Sequence, residues 1–136
     1  VLKNSSSKKT GDLAEDIAKQ HLAQHGLSFI CSNFYSRFGE IDLIFRDDQV
    51  LVFIEVRYRK NNRYGSNFET INKKKQDKII KTAEFYLYKN KITESINCRF
   101  DVIGIEPTRM KPTGIEDKNI QSQHSINWIK NAFSCF

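Results

Sequence analysis

Residues 38–57 read FGEIDLIFRDDQVLVFIEVR. Ile41 to Arg46 and Val50 to Tyr58 are rich in β-branched and aromatic residues, and polar residues separate them, so the stretch predicts two core strands joined by a turn. Glu40, Asp42 and Glu55 stand inside or at the edges of those strands. With Asp48-Gln49 as a two-residue turn, Asp47 faces Val50, Arg46 faces Leu51, Ile44 faces Phe53, Asp42 faces Glu55 and Glu40 faces Arg57. Side chains alternate along a strand. Glu40, Asp42, Ile44 and Arg46 are therefore expected on one face with Leu51, Phe53, Glu55 and Arg57, and a two-residue slip preserves that face.

Carboxylates directly opposed on paired strands have Cβ atoms ~5 Å apart. At an effective dielectric of ~20 their repulsion is roughly 3 kcal/mol, a large share of a small domain's stability. Two arrangements offset it. Arg57 can bridge Asp42 and Glu55 in an ion-pair cluster, or the carboxylates can hold a divalent cation such as Mg²⁺ or Mn²⁺. The residues leave both open. The neighbouring charge pattern favours the cation. The chain of 136 residues carries a net charge of +6. Residues 57–91 hold eleven Lys and Arg against three Asp and Glu, whereas the rest holds eleven against thirteen. A basic half beside buried acids suits a polyanion, and a metal next to a cationic surface is what phosphodiester chemistry requires.

Outward from this hairpin, Thr10 to Gln24 is expected as a helix, with Ala14, Ile17, Ala18 and Leu22 on one stripe, Thr10 as its cap and Gly26 ending it in a left-handed conformation. Residues 1–9 are expected to be a disordered polar tail. Leu27 to Tyr35 suggests a half-buried strand, Gly39 a bend and Asn61 to Phe68 a loop. Asn72 to Tyr88 suggests a second helix, with Ile79, Ile80, Ala83, Tyr86 and Leu87 facing the core. Cys98 to Ile105 suggests another strand, closed by Pro107, in which Asp101 is expected to be buried and hydrogen-bonded. Residues 108–123 are expected to form a mobile loop, and Ser125 to Phe136 a short packed terminal element. The order predicts one α/β domain over residues 10–136, with a mixed sheet covered by two or three helices.

No apolar run approaches the ~20 residues of a membrane span, and the polar N-terminus lacks a hydrophobic signal region. Cys31, Cys98 and Cys135 are odd in number and far apart, as expected of reduced thiols in a cytoplasmic protein. His21 and His25 have a zinc-compatible spacing but no third ligand. There is no phosphate-binding glycine loop and no GxSxG motif.

Asp42 followed by Glu55-Val56-Arg57 on the next strand resembles the D…ExK signature of restriction-endonuclease-like nucleases. GEIDLI (39–44), LVFIEVRYR (51–59), RYGSNFETI (63–71), KKKQDKIIKTAEFYL (73–87) and RFDVIGIE (99–106) look like successive blocks of the bacterial YraN-type family, similar to archaeal Holliday-junction resolvases. GDLAEDIAKQHL (11–22) looks like its opening helix and NAF (131–133) like its closing element. The resemblance implies a restriction-endonuclease-like α/β fold and a Mg²⁺- or Mn²⁺-dependent endonuclease acting on structured or branched DNA, with a homodimer serving symmetric cleavage. It puts Glu15 in the place of a helical carboxylate at the site, Asp42 and Glu55 in the place of metal ligands, and Arg57 where the signature has lysine. Arg59, Arg63, Lys73, Lys74, Lys75 and Lys78 would face nucleic acid. Arginine is always protonated and cannot serve as a base, so the alternative is a nucleic-acid-binding protein with weak or lost catalysis.

Overall fold

The apolar stripe of residues 14–22 builds α1 (Ser5–Gln24) in a computed structural model of the chain, which describes residues 5–59, 71–92, 95–108 and 124–134. The helix begins upstream of Thr10, inside the segment expected as a tail, because residues 5–9 contain no glycine or proline to stop it. It ends as expected. Gly26 takes φ +87°, its N–H donates to the Ala23 carbonyl at 3.1 Å, and that of Leu27 to the Leu22 carbonyl at 3.1 Å.

The chain continues through β1 (Ser28–Ser36), β2 (Gly39–Asp47), β3 (Val50–Tyr58), α2 (Lys73–Lys89), β4 (Asn97–Pro107) and β5 (His124–Phe133). The strands form one mixed sheet in sequence order. β1, β2 and β3 are antiparallel neighbours, β4 runs parallel to β3, and β5 returns antiparallel to β4. Ala14, Ile17, Ala18 and Leu22 pack α1 onto Leu43, Phe45, Val52, Ile54, Ile103 and Ile105. Ile79, Ala83 and Tyr86 pack α2 with Ile41, Ile44, Leu51, Phe53 and Phe100. The result is an α/β sandwich with one helix in each core. The loop expected at 61–68 and all but Thr108 of that at 108–123 lie outside the described residues.

The terminal segment is a fifth strand, and buried Asp101 organises its attachment. The carboxylate accepts from Trp128 Nε1 at 2.9 Å, from the Asn131 N–H at 2.9 Å and from Arg99 Nε at 3.0 Å. Arg99 Nη1 continues to Asp47 at 2.7 Å. The ladder is irregular between Phe100 and Val102, and Asn131 has φ +53°. This bulge blurs the alternation of Trp128, Ile129 and Phe133 and hides the strand in the sequence.

The hairpin has the expected register, with Asp47 opposite Val50, Arg46 opposite Leu51 and Ile44 opposite Phe53. The faces are not as expected. Ile41 and Ile44, three residues apart, both belong to the α2 core, and so do Cys31 and Phe34 on β1. Alternation slips by one on both strands where Asn33 holds φ +55°. Glu40 and Asp42 therefore do not share a face with Ile44. They gather with Glu15 of α1 instead.

Asparagine tolerates positive φ, while a β-branched residue does not. Asn33→Val is expected to cost about 2 kcal/mol of stability, measured by urea unfolding. Asn33→Gly, which keeps the backbone free, is expected to lose less.

Candidate metal centre

Asp42 stands where β2 and β3 part. The paired positions end at Leu43 and Ile54. Beyond them the Val56 N–H donates to Asp42 Oδ2 at 2.8 Å instead of to a strand carbonyl. The side chain thus takes over one rung of the ladder, and its second oxygen is left for other use.

Glu15 follows buried Ala14 on α1 and is half-buried. Asn33 Nδ2, aimed by the same left-handed backbone that shifts the strand faces, donates to Glu15 Oε2 at 3.1 Å. Glu40 follows Gly39 at the start of β2, opposite Tyr35 of β1. Gly39 has φ +156°, and a Cβ there would lie 3.6 Å from both Lys78 Cβ and Thr82 Oγ1. One carboxylate oxygen from each of Glu15, Glu40 and Asp42 lies within 4.8 Å of the others. Oxygens around a hard divalent cation at ~2.1 Å are separated by roughly 3–4 Å. An all-carboxylate donor set of this spacing fits Mg²⁺ or Mn²⁺, with small side-chain adjustment.

The acids perturb one another. Burial, then the charge of Glu55, pushes Asp42 up to about 8. Burial also raises Glu15; the Asn33 amide opposes that shift and the Glu40 charge adds to it. The Glu40 charge raises the Tyr35 phenol.

Glu55 approaches from the other side of the sheet's edge. Its neighbours Val56 and Tyr58 pack toward the α1 core, while Phe53 belongs to the α2 core. Lys75 Nζ sits 3.4 Å from Glu55 Oε1, whose side chain is only 11% exposed. The placement of Lys75 follows from the helix start. Asn72 caps α2 by accepting the Lys75 N–H at 2.8 Å, which fixes the first turn beneath β3.

Of the residues expected at the site, Glu15, Asp42 and Glu55 meet or sense one another here, and Lys75 joins them. Arg57 is half-buried two positions beyond Glu55. Arg59 follows β3, with its N–H on the Ile105 carbonyl at 2.9 Å. Lys73 pairs with Asp77 at 3.3 Å, and Lys74 and Lys78 are exposed on α2. Arg63 lies outside the described residues. Sequence reasoning noticed Glu40 but did not put it at the site, and it missed Asn33 and Tyr35. The one available signal was Asn33 within a run that otherwise reads as strand. His21 and His25 stay apart from the acids, with both rings set edge-on against Trp128 at 5.7 and 5.5 Å.

A family model described as "Uncharacterised protein family UPF0102" matches residues 14–105. A UPF0102 protein of Psychromonas ingrahamii is 47% identical over 133 residues, covering 98% of this chain and 94% of the relative. One from Vibrio parahaemolyticus is 41% identical over 129 residues, 95% of each chain. One from Coxiella burnetii is 42% identical over 128 residues, 94% of each.

In the unfolded chain Asp42 ionises near its ordinary 3.8, and in the folded protein near about 8. Between those values the folded state keeps a proton that the unfolded state has released. The metal-free protein therefore loses stability as pH rises through this window, and the loss levels off above about 8. Asp42→Asn carries no charge and keeps an oxygen for the Val56 N–H. In EDTA at pH 8 its Tm is expected to exceed that of the wild type by about 5 °C or more, with the gap closing toward pH 4. Mn²⁺ is expected to raise the wild-type Tm at pH 8 and leave that of the variant unmoved.

Proposed function

Taking as premise that this chain belongs to the UPF0102 family, we propose that it is a divalent-metal-dependent phosphodiesterase of restriction-endonuclease-like fold, related to Holliday-junction resolvases and acting on structured or branched DNA. The observation that carries the reading is the convergence of Glu15, Glu40 and Asp42, with Glu55 close enough to raise Asp42, beside a helix rich in lysine. Ionising Asp42 fully in this setting is costly without a compensating cation. Glu15, Glu40 and the free oxygen of Asp42 would hold Mg²⁺ or Mn²⁺. A bound ion supplies polarisation of the scissile phosphate and a lowered pKa for an attacking water.

The chain's own groups do the rest. The Val56 N–H holds Asp42 in one orientation. Asn33 does the same for Glu15. Lys74, Lys78 and the other cations of α2 bind the phosphate backbone and set the salt dependence of affinity. The guanidinium of Arg57 can stabilise developing negative charge but is no proton acceptor. Lys75 reaches Glu55 from another element and brings an ammonium to the carboxylate that precedes Arg57 by two residues. In this reading the lysine function of the ExK pattern is supplied from α2, and Arg57 serves charge stabilisation. Two copies of the chain would serve symmetric cleavage.

The second reading, nucleic-acid binding without turnover, is favoured by Arg57 standing where that pattern has lysine. A four-way DNA junction incubated with the protein and Mn²⁺ separates the two. Nicking is expected for the wild type, abolished in Asp42→Asn and Glu55→Ala, and reduced about 100-fold in Lys75→Met. Arg57→Lys is expected not to raise the rate. Salt-sensitive junction binding that ignores Mn²⁺, with no nicking, selects the binding protein instead.

A further inference from the structure

The α2 side of the molecule carries an aromatic surface that the metal centre does not use. Phe38 occupies the turn between β1 and β2, two residues before Glu40. The Arg37 guanidinium lies 4.8 Å from the centre of its ring and Lys81 Nζ lies 5.9 Å from it. Phe38, Lys81, Glu84, Phe85 and Tyr88 line a shallow groove of about 380 Å³. Phe85 is 37% exposed and Tyr88 83% exposed. Further along, Lys89 Nζ sits 5.9 Å from the Phe34 ring, which itself lies 6.1 Å from Phe85.

Exposing aromatic rings to water on a helix is unfavourable unless something covers them. Here the rings alternate with cations: Arg37, Lys81 and Lys89 surround them, and among the described residues lining the groove Glu84 is the one carboxylate. Planar apolar faces interleaved with positive charge complement the bases and phosphates of an unpaired strand, since every base offers a π-face and every linkage an anion. A paired duplex hides its base faces in the stack and has nothing to offer these rings.

Resting on the phosphodiesterase reading above, we infer that the Phe38–Phe85–Tyr88 surface binds an unpaired stretch of the DNA substrate, with bases on the rings and phosphates on Arg37, Lys81 and Lys89. In the chain Gly39 alone separates Phe38, on this surface, from Glu40, which turns to the acid cluster. The substrate class is thereby DNA with single-stranded character, such as flaps, gaps or open junction centres.

The experiment uses the full chain in EDTA with three fluorescent DNA ligands of equal length: a single strand, a blunt duplex, and a duplex with a single-stranded flap. Anisotropy titration is expected to show the single strand and the flap binding at least tenfold more tightly than the blunt duplex. Phe38→Ala and Tyr88→Ala are each expected to weaken single-strand binding about tenfold and to change duplex binding little. Tyr88 is almost fully exposed, so its loss does not endanger folding. Equal affinity for strand and duplex overturns the inference, and so does wild-type strand binding by both variants. Mn²⁺-dependent nicking by the wild-type chain is measured in parallel. If nicking occurs without strand preference, the inference fails and the phosphodiesterase reading stands. If the preference appears without any nicking, the surface assignment stands and the catalytic reading fails. Asp42→Asn is expected to bind the single strand like the wild type while nicking nothing.

Discussion

The hydrogen bond from the Val56 N–H to the Asp42 carboxylate is the contact on which the rest of the site depends. It substitutes a side-chain oxygen for a strand carbonyl where β2 and β3 separate. Ending the ladder with a carboxylate satisfies a backbone donor that would otherwise be left over at the split. It also holds an acid at a position shielded from water. Burial and the nearby Glu55 charge then raise Asp42 far above the ordinary carboxylate range. Structural need and chemical poise therefore meet in one group.

A second constraint brings the other acids to Asp42. The left-handed backbone at Asn33 shifts the face alternation of β1 and β2, turning Glu40 toward α1. The same residue's amide binds Glu15. A single asparagine thus aims one carboxylate through the backbone and steadies another through its side chain. Local strain of this kind persists only where surrounding packing holds it. Here Ile41, Ile44, Cys31 and Phe34 anchor both strands in the α2 core on either side of the shift.

The opposite edge of the sheet carries an acid of another kind. Asp101 is fully buried, like Asp42 it accepts a backbone N–H, and it makes further bonds to Arg99 and Trp128. Its charge has a full set of donors, which makes it a structural anchor for β5. Among the described residues, Asp42 accepts from the Val56 N–H and is repelled by three carboxylates, Glu55, Glu40 and Glu15. What separates these two acids is the count of donors against nearby charges.

Periodicity alone carried the first four strands, both helices and the hairpin register, because those depend on which residues repel water and how often they recur. The pairing of Arg46 with Leu51 and of Ile44 with Phe53 follows from turn length and alternation. The concentration of acids in that hairpin was also plain in the sequence, as was the basic character of α2. Tertiary structure decided which acids meet. Glu40 joined Glu15 and Asp42 where the faces reverse at the left-handed Asn33, and the asparagine itself is the one side-chain hint of that angle. Lys75 reached Glu55 because packing docks α2 over β2 with its first turn reaching β3, a contact twenty residues apart in the chain. β5 was hidden for the same reason: its bulge exists to serve Asp101, a partner on another strand. Local repetition is written in neighbouring residues, whereas the direction of a buried charge is settled by whatever the fold places around it.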